Sequence, residues 1–206
     1  MRPLTYSPAV SSGGIVFLGG DAEDRRRPIR ELYAVFRRPA RPGDLYAQEH
    51  ARGDQHGFLG EEADIPPHMR SVFEQQIGAP LYDETRLIVG TTERGIYALP
   101  TTADAICLGA FPNGGGGCGQ PGPHGVQVEW DEASADSPFV LYGIIGDDVS
   151  SVEVVVDGSR REAELGENGY RIVFEDGDRQ QLQEVILRLR GGATHVLPLP
   201  KPHPLG

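Results

Sequence analysis

Lysine is almost missing from this 206-residue chain, where Lys201 stands against 18 arginines, a bias that suggests high-GC coding. Tryptophan occurs once, methionine and cysteine twice each, and aromatic residues make up only 7%. No apolar run approaches the roughly 18 residues that a membrane-spanning helix needs. Near the N-terminus, Arg2 and the patch Ile15–Leu18 are too little for a signal-peptide core, so no signal peptide is visible. The chain also lacks a Gly-Lys-Ser/Thr phosphate loop, a His-Glu-x-x-His zinc motif and a Gly-x-Ser-x-Gly elbow. Its six histidines, at 50, 56, 68, 124, 195 and 203, make no close ligand pair. Glu61-Glu62, Asp147-Asp148 and Glu175-Asp176-Asp178 lack the alternating spacing of a calcium loop. These absences give the expectation of no catalytic, cofactor-binding or metal residue.

What the chain has is turns and negative charge. There are 28 glycines and 17 prolines, about a fifth of all residues, which favours short elements. The net charge of −11 disfavours broad binding to nucleic-acid phosphates. After an arm over residues 1–24, Ile29, Leu32, Tyr33 and Phe36 share one face of a predicted helix that Pro39 ends. Residues 39–66 read as an extended loop, and a second helix is predicted over Pro67–Gln76, with Gly78 and Pro80 as its stop. From residue 85 the period shortens. Arg86–Val89 and Ile96–Leu99 read as a hairpin, Ala105–Leu108 and Val126–Trp130 as further strands. Strands follow at Phe139–Ile145, Val152–Val156, Arg160–Leu165, Tyr170–Phe174, Gln183–Leu189 and His195–Leu199, separated by turn pairs such as Asp157-Gly158 and Asn168-Gly169. Gln180–Arg188 also fits a helical period, with strand preferred. The expected class is mainly β (α+β): two short helices in the N-terminal half, a β-hairpin or meander, and a C-terminal β-sandwich-like unit. The segments are 1–24, 25–84, 85–135, 136–200 and a tail at 201–206.

Several of these stretches resemble a family of uncharacterised, often secreted or membrane-anchored proteins of high-GC bacteria. The helix Ile29–Pro39, the strand Ile106-Cys107-Leu108, the segment Gly114–Gly117 ending in Cys118, and Leu141-Tyr142-Gly143-Ile144-Ile145-Gly146-Asp147-Asp148-Val149 carry the likeness. Gly146 and Asp148 replace that family's usual Pro and Gly. The resemblance covers roughly residues 28–190 and implies export but no activity. Cys107 and Cys118, ten residues apart around a glycine run, read as a loop-closing disulfide, which implies an oxidising compartment. The alternatives are two unrelated thiols, or Cys118 acting as a nucleophile with His124 as its base.

Weaker signals have plainer readings. His50, Asp54 and His56 could clasp a metal, but a solvated loop explains them. The tripeptide Arg52-Gly53-Asp54 has the short length of a chance match. Arg25–Arg27 with Arg30, Arg37, Arg38 and Arg41 form a basic patch that could dock an anionic surface, or simply a solvated helix face. Trp130, Phe139 and Tyr142 read as packing. The function expected is a non-enzymatic, extracytoplasmic module, structural or partner-binding. A partner would dock on the Ile29–Phe36 helix or on sheet edges. The alternatives are a regulatory protein docking through that helix, or an enzyme assembled from distant His, Asp and Glu residues.

Overall fold

A computed structural model describes residues 15–16, 28–53, 77–111, 116–122, 124, 126–131, 139–174 and 182–199. Its helices are α1 (Ile29–Leu32) and α2 (Pro42–Gly53). Its strands are β1 (Ile15–Val16), β2 (Arg86–Gly90), β3 (Gly95–Pro100), β4 (Ile106–Ala110), β5 (Cys118–Gly119), β6 (Gln127–Asp131) and β7 (Phe139–Ile144). They continue with β8 (Val149–Val156), β9 (Ser159–Glu162), β10 (Glu164–Leu165), β11 (Gly169–Phe174), β12 (Leu182–Leu189) and β13 (Thr194–Pro198). The mainly β class read from the sequence is the class of the fold. All strand pairs are antiparallel, in three sheets ordered β1-β6-β7-β11-β10, β13-β12-β8-β9 and β2-β3-β4-β5.

Side-chain alternation decides how the sheets stack. Successive residues of a strand point to opposite faces, so a strand apolar throughout must be covered on both sides. In β7, Phe139 and Leu141 join one core with Val152, Val154 and Val156 of β8 and Val185 and Leu187 of β12. Tyr142 and Ile144 of the same strand join a second core with Ile96 and Ala98 of β3 and Ile106 and Leu108 of β4. The strand β3 repeats the device, because Tyr97 and Leu99 enter a third core with Ala47 and Ala51 of α2. The result is a stack of four layers: two sheets forming a sandwich, a third sheet on its outer face, and α2 over that. β6 and β7 pair across residue 136, so the middle sheet takes strands from both sides of it.

Two glycines make the strands fit. Gly109 lies opposite Tyr97 and Gly143 opposite Tyr170 in register. At each, a Cβ would collide with the facing tyrosine ring, at 2.8 Å from Tyr97 Cε1 and 2.6 Å from Tyr170 Cε1. Each ring therefore lies across the bare backbone of its neighbour. Asp157 and Gly158 have φ of 47° and 72°, the paired positive angles of a tight hairpin turn between β8 and β9.

The structure departs from the sequence reading in four places. Residues 42–53 of the expected loop form α2, while 54–66 lie outside the described residues, as does the expected helix Pro67–Gln76. The first helix stops after one turn, because Tyr33 is extended (φ −130°, ψ 120°) and a 3₁₀ turn follows at Ala34–Phe36. The single strand expected over Arg160–Leu165 splits between two sheets, with Ala163 at the crossing donating its N–H to Val152 O at 2.9 Å. Finally, the apolar stripe considered for docking is used within the fold. Ile29 and Phe36 are buried and Leu32 is half-buried in the second core, so they form no free helix face.

Gly143→Ala is expected to lower stability by about 2–3 kcal/mol, the cost of overpacking a closed site. Gly158→Ala, with open space around it, should cost about 1 kcal/mol for its left-handed backbone alone. Urea denaturation of the two variants measures both.

Candidate functional site

Three polar clusters lie where layers meet, and the first explains why the N-terminal helix breaks. Ala34 N–H donates to Asp147 Oδ1 at 2.7 Å, and Val35 N–H donates to Asn168 Oδ1 at 2.9 Å. Asn168 Nδ2 donates in turn to Asp147 Oδ1 at 2.9 Å and to Ile145 O at 3.0 Å. Asp147 N–H donates to Leu32 O at 3.0 Å, and Arg37 forms an ion pair with Asp147. Asn168 tolerates the left-handed φ of 63° that this turn requires. Burial alone would raise the Asp147 carboxyl, but hydrogen bonds from Arg37, Asn168 and the Ala34 N–H outweigh it and hold it below the usual carboxylate range. Burial, with the Asp147 charge adding to it, pushes the Tyr33 phenol well above its ordinary value.

A second cluster ties α2 to the third sheet. Asp44, 1% exposed, pairs with Arg38 and accepts from Arg41 N–H at 2.6 Å and Leu87 N–H at 2.9 Å. Arg38 Nε also reaches Glu167 Oε2 at 2.6 Å, which Arg41 Nη1 meets at 3.0 Å. Gln48 Nε2 donates to Asp83 O at 2.8 Å. Asp44 thereby satisfies the Leu87 N–H on the edge strand β2, and Gln48 a carbonyl just before that strand. Burial opposes ionisation of Asp44 too, yet the bonds from Arg38, Arg41 N–H and Leu87 N–H leave its carboxyl lowered. Both clusters are internally satisfied and join layers.

The third cluster is of another kind. His124 Nδ1 lies 2.7 Å from Asp148 Oδ2, and the His124 ring meets the His195 ring edge-on at 4.4 Å between centres. The carboxylate can only accept, so Nδ1 carries the proton, and in the neutral ring Nε2 then holds the lone pair. His124 stands just before β6, Asp148 just before β8 and His195 in β13, at one open end of the sandwich. His195 shares a strand face with Leu197, which belongs to the sandwich core, yet is itself exposed. The His124 backbone is held at φ 55° while its carbonyl accepts from Gly146 N–H at 2.8 Å.

The remaining candidates fall as follows. Cys107 and Cys118 face each other in register and are joined in a disulfide, so neither is a free thiol. That removes the pairing of Cys118 as nucleophile with His124. Gly116 and Gly117 precede Cys118 within the closed loop, whose residues 112–115 lie outside the described residues. His50 is not in a loop. It projects from α2 among Tyr46, Tyr97 and Phe111, with ring centres 4.7–6.5 Å away. Asp54, His56, Arg25–Arg27 and the Trp130 side chain lie outside the described residues. Arg52 pairs with Asp83. Among the described residues, the basic-patch arginines are paired too, Arg30 with Glu84, Arg37 with Asp147, and Arg38 and Arg41 with Glu167. Phe139 and Tyr142 are buried, as packing residues should be. Comparison with protein-family models, curated proteins and solved structures returns no match.

Both lowered carboxyls should shape the acid limb of stability. A group whose folded pKa lies below its unfolded value of about 4 stabilises above that pH, and the gain is lost as pH falls through the folded value. The wild-type urea midpoint is therefore expected to fall steeply below about pH 4. Asp44→Asn combined with Asp147→Asn should be less stable near neutrality and show a flatter acid limb.

Proposed function

We propose that this chain is a non-enzymatic module, structural or partner-binding, that works outside the cytoplasm. The observation that carries the reading is the Cys107–Cys118 disulfide, which closes the glycine-rich connection between β4 and β5. Such bonds persist where the surroundings oxidise thiols and are rare where glutathione and thioredoxin keep them reduced. The resemblance of the chain to secreted or anchored proteins of high-GC bacteria supports the same compartment. Among the described residues, no helix is long and apolar enough to cross a membrane.

The non-enzymatic part of the reading rests on how the ionised groups are used. Asp44, Asp147, Glu167, Arg37 and Arg38 satisfy one another or the backbone at layer boundaries, an arrangement that fixes geometry and leaves them engaged. The two edges of the β13-β12-β8-β9 sheet are poor partner sites. β9 is exposed along its whole length and carries Arg160, Arg161 and Glu162. On β13, Leu199 N–H donates to Gln183 O and Ala193 O accepts from Leu189 N–H, so the backbone of even-numbered residues faces outward. Pro198 then stands at an outward position with no N–H to offer. Contact with a partner accordingly falls to the loop ends of the sandwich.

The disulfide provides the test. Protein alkylated in its native compartment and then analysed by mass should carry no label on Cys107 or Cys118 unless reductant was added first. Label on both without reductant would remove the compartment argument. Reduction of the purified protein should lower its stability by about 3 kcal/mol, through the freed loop in the unfolded chain.

A further inference from the structure

We infer that His124 and His195 form a two-imidazole site for a divalent late transition metal, with Cu²⁺ the best fit, and that Asp148 orients its first ligand. The argument begins with the hydrogen bond from His124 Nδ1 to Asp148 Oδ2 at 2.7 Å. A carboxylate on one imidazole nitrogen fixes the tautomer, aims the ring and makes the other nitrogen more basic, which is how metal-ligating histidines are commonly supported. The second ring is already beside the first. A ligating nitrogen lies about 2 Å from a bound ion and its ring centre about 1 Å farther, so two rings sharing an ion at a right angle have centres about 4.5 Å apart. The rings of His124 and His195 are 4.4 Å apart, with planes inclined by 61°. That ring spacing fits two neighbouring nitrogen ligands of a tetragonal Cu²⁺ or Ni²⁺ ion, and Cu²⁺ binds nitrogen donors most strongly among the divalent first-row ions.

The backbone around the cluster supports the assignment independently. His124 adopts the left-handed φ of 55° that glycine takes more readily, although Gly122 and Gly125 are near it in sequence. Gly146 packs directly against it. A Cβ there would lie 2.5 Å from His124 O and 3.0 Å from Asp148 Oδ1, so the close approach of the two segments requires glycine. The side chains are accessible, with His124 24% and Asp148 53% exposed and His195 on the surface. Arg190, beside the cluster, donates its backbone N–H to Asp148 O at 2.7 Å and its Nε–H to Asp147 O at 2.9 Å. Among the described residues no three His, Cys, Asp or Glu side chains make a complete ligand set. The site therefore supplies two protein ligands, with Asp148 as the outer partner and water completing the coordination.

The test uses the full-length, oxidised, chelator-stripped protein titrated with CuCl₂ by calorimetry, with electron paramagnetic resonance on the one-to-one complex. The expected result is one Cu²⁺ bound at least tenfold more tightly than by His195→Ala, with splitting from two imidazole nitrogens that falls to one in that variant. Asp148→Asn should weaken binding by roughly 10-fold or more while retaining the two-nitrogen signature. His195 is on the surface, so its alanine variant keeps the fold, which a thermal melt verifies, and it decides the matter even where His124→Ala does not fold. Equal affinity of wild type and His195→Ala, or a spectrum with no imidazole change between them, would overturn the proposal.

Discussion

The burial of β7, the central strand of the middle sheet, on both of its faces is the constraint on which the rest of this structure depends. β7 sends Leu141 into the sandwich core and Tyr142 and Ile144 into the core beneath the third sheet, all of them fully buried. A strand of that kind has no solvated face, so it is stable only when both neighbouring layers are in place. The sheet of β8, β9, β12 and β13 covers one side. The other is covered by β2–β5 together with the N-terminal segment, which precede it in the chain. Apolar contact alone is non-directional and would allow these layers to slide. Hydrogen bonds from the Ala34 and Val35 N–H groups to Asp147 and Asn168, and from the Leu87 N–H to Asp44, set their positions.

This division of labour accounts for how the ionised residues are placed. Asp147 and Glu167, at turns of the middle sheet, hold Arg37, Arg38 and Arg41, while Asp44 of α2 holds Arg38, the one arginine of the three whose side chain is largely withdrawn from water. The His124, Asp148 and His195 cluster differs because it crosses the open end of the sandwich and keeps surface access. It occupies the same end of the molecule as the Asp147 and Asn168 clamp, through the adjacent residues Asp147 and Asp148. The layers are thus locked together directly beside the accessible imidazoles, a rigid support for a site that must keep two rings at fixed separation.

The strands were legible in the sequence because their signals are local. Alternation in Val152–Val156, the unbroken apolar run of Phe139–Ile144 and the Asp157-Gly158 turn each report their own geometry. Helix α2 was not legible, since its buried face consists of Asp44, Ala47, Gln48 and Ala51, while Leu45 and Tyr46 are exposed. Its period is carried by small and polar residues whose partners lie just before β2 and in the sheet of β2–β5. The end of α1 is hidden for a similar reason: the groups that capture the Ala34 and Val35 N–H lie 113 and 133 residues away. The disulfide was readable from two cysteines around a glycine run. The pairing of His124 with His195 was not, because spacing rules find ligands on one helix or one turn, and these histidines meet only when β13 closes its sheet.

Amide hydrogen exchange, followed by mass spectrometry on the oxidised full-length protein, tests the two-sided middle sheet most directly. The account predicts that Phe139–Ile144 exchanges among the slowest segments, through the same global opening that releases Gly95–Pro100 and Val152–Val156. Exchange of Phe139–Ile144 at the rate of the edge strand Ser159–Glu162, or well before either neighbouring sheet opens, would contradict it.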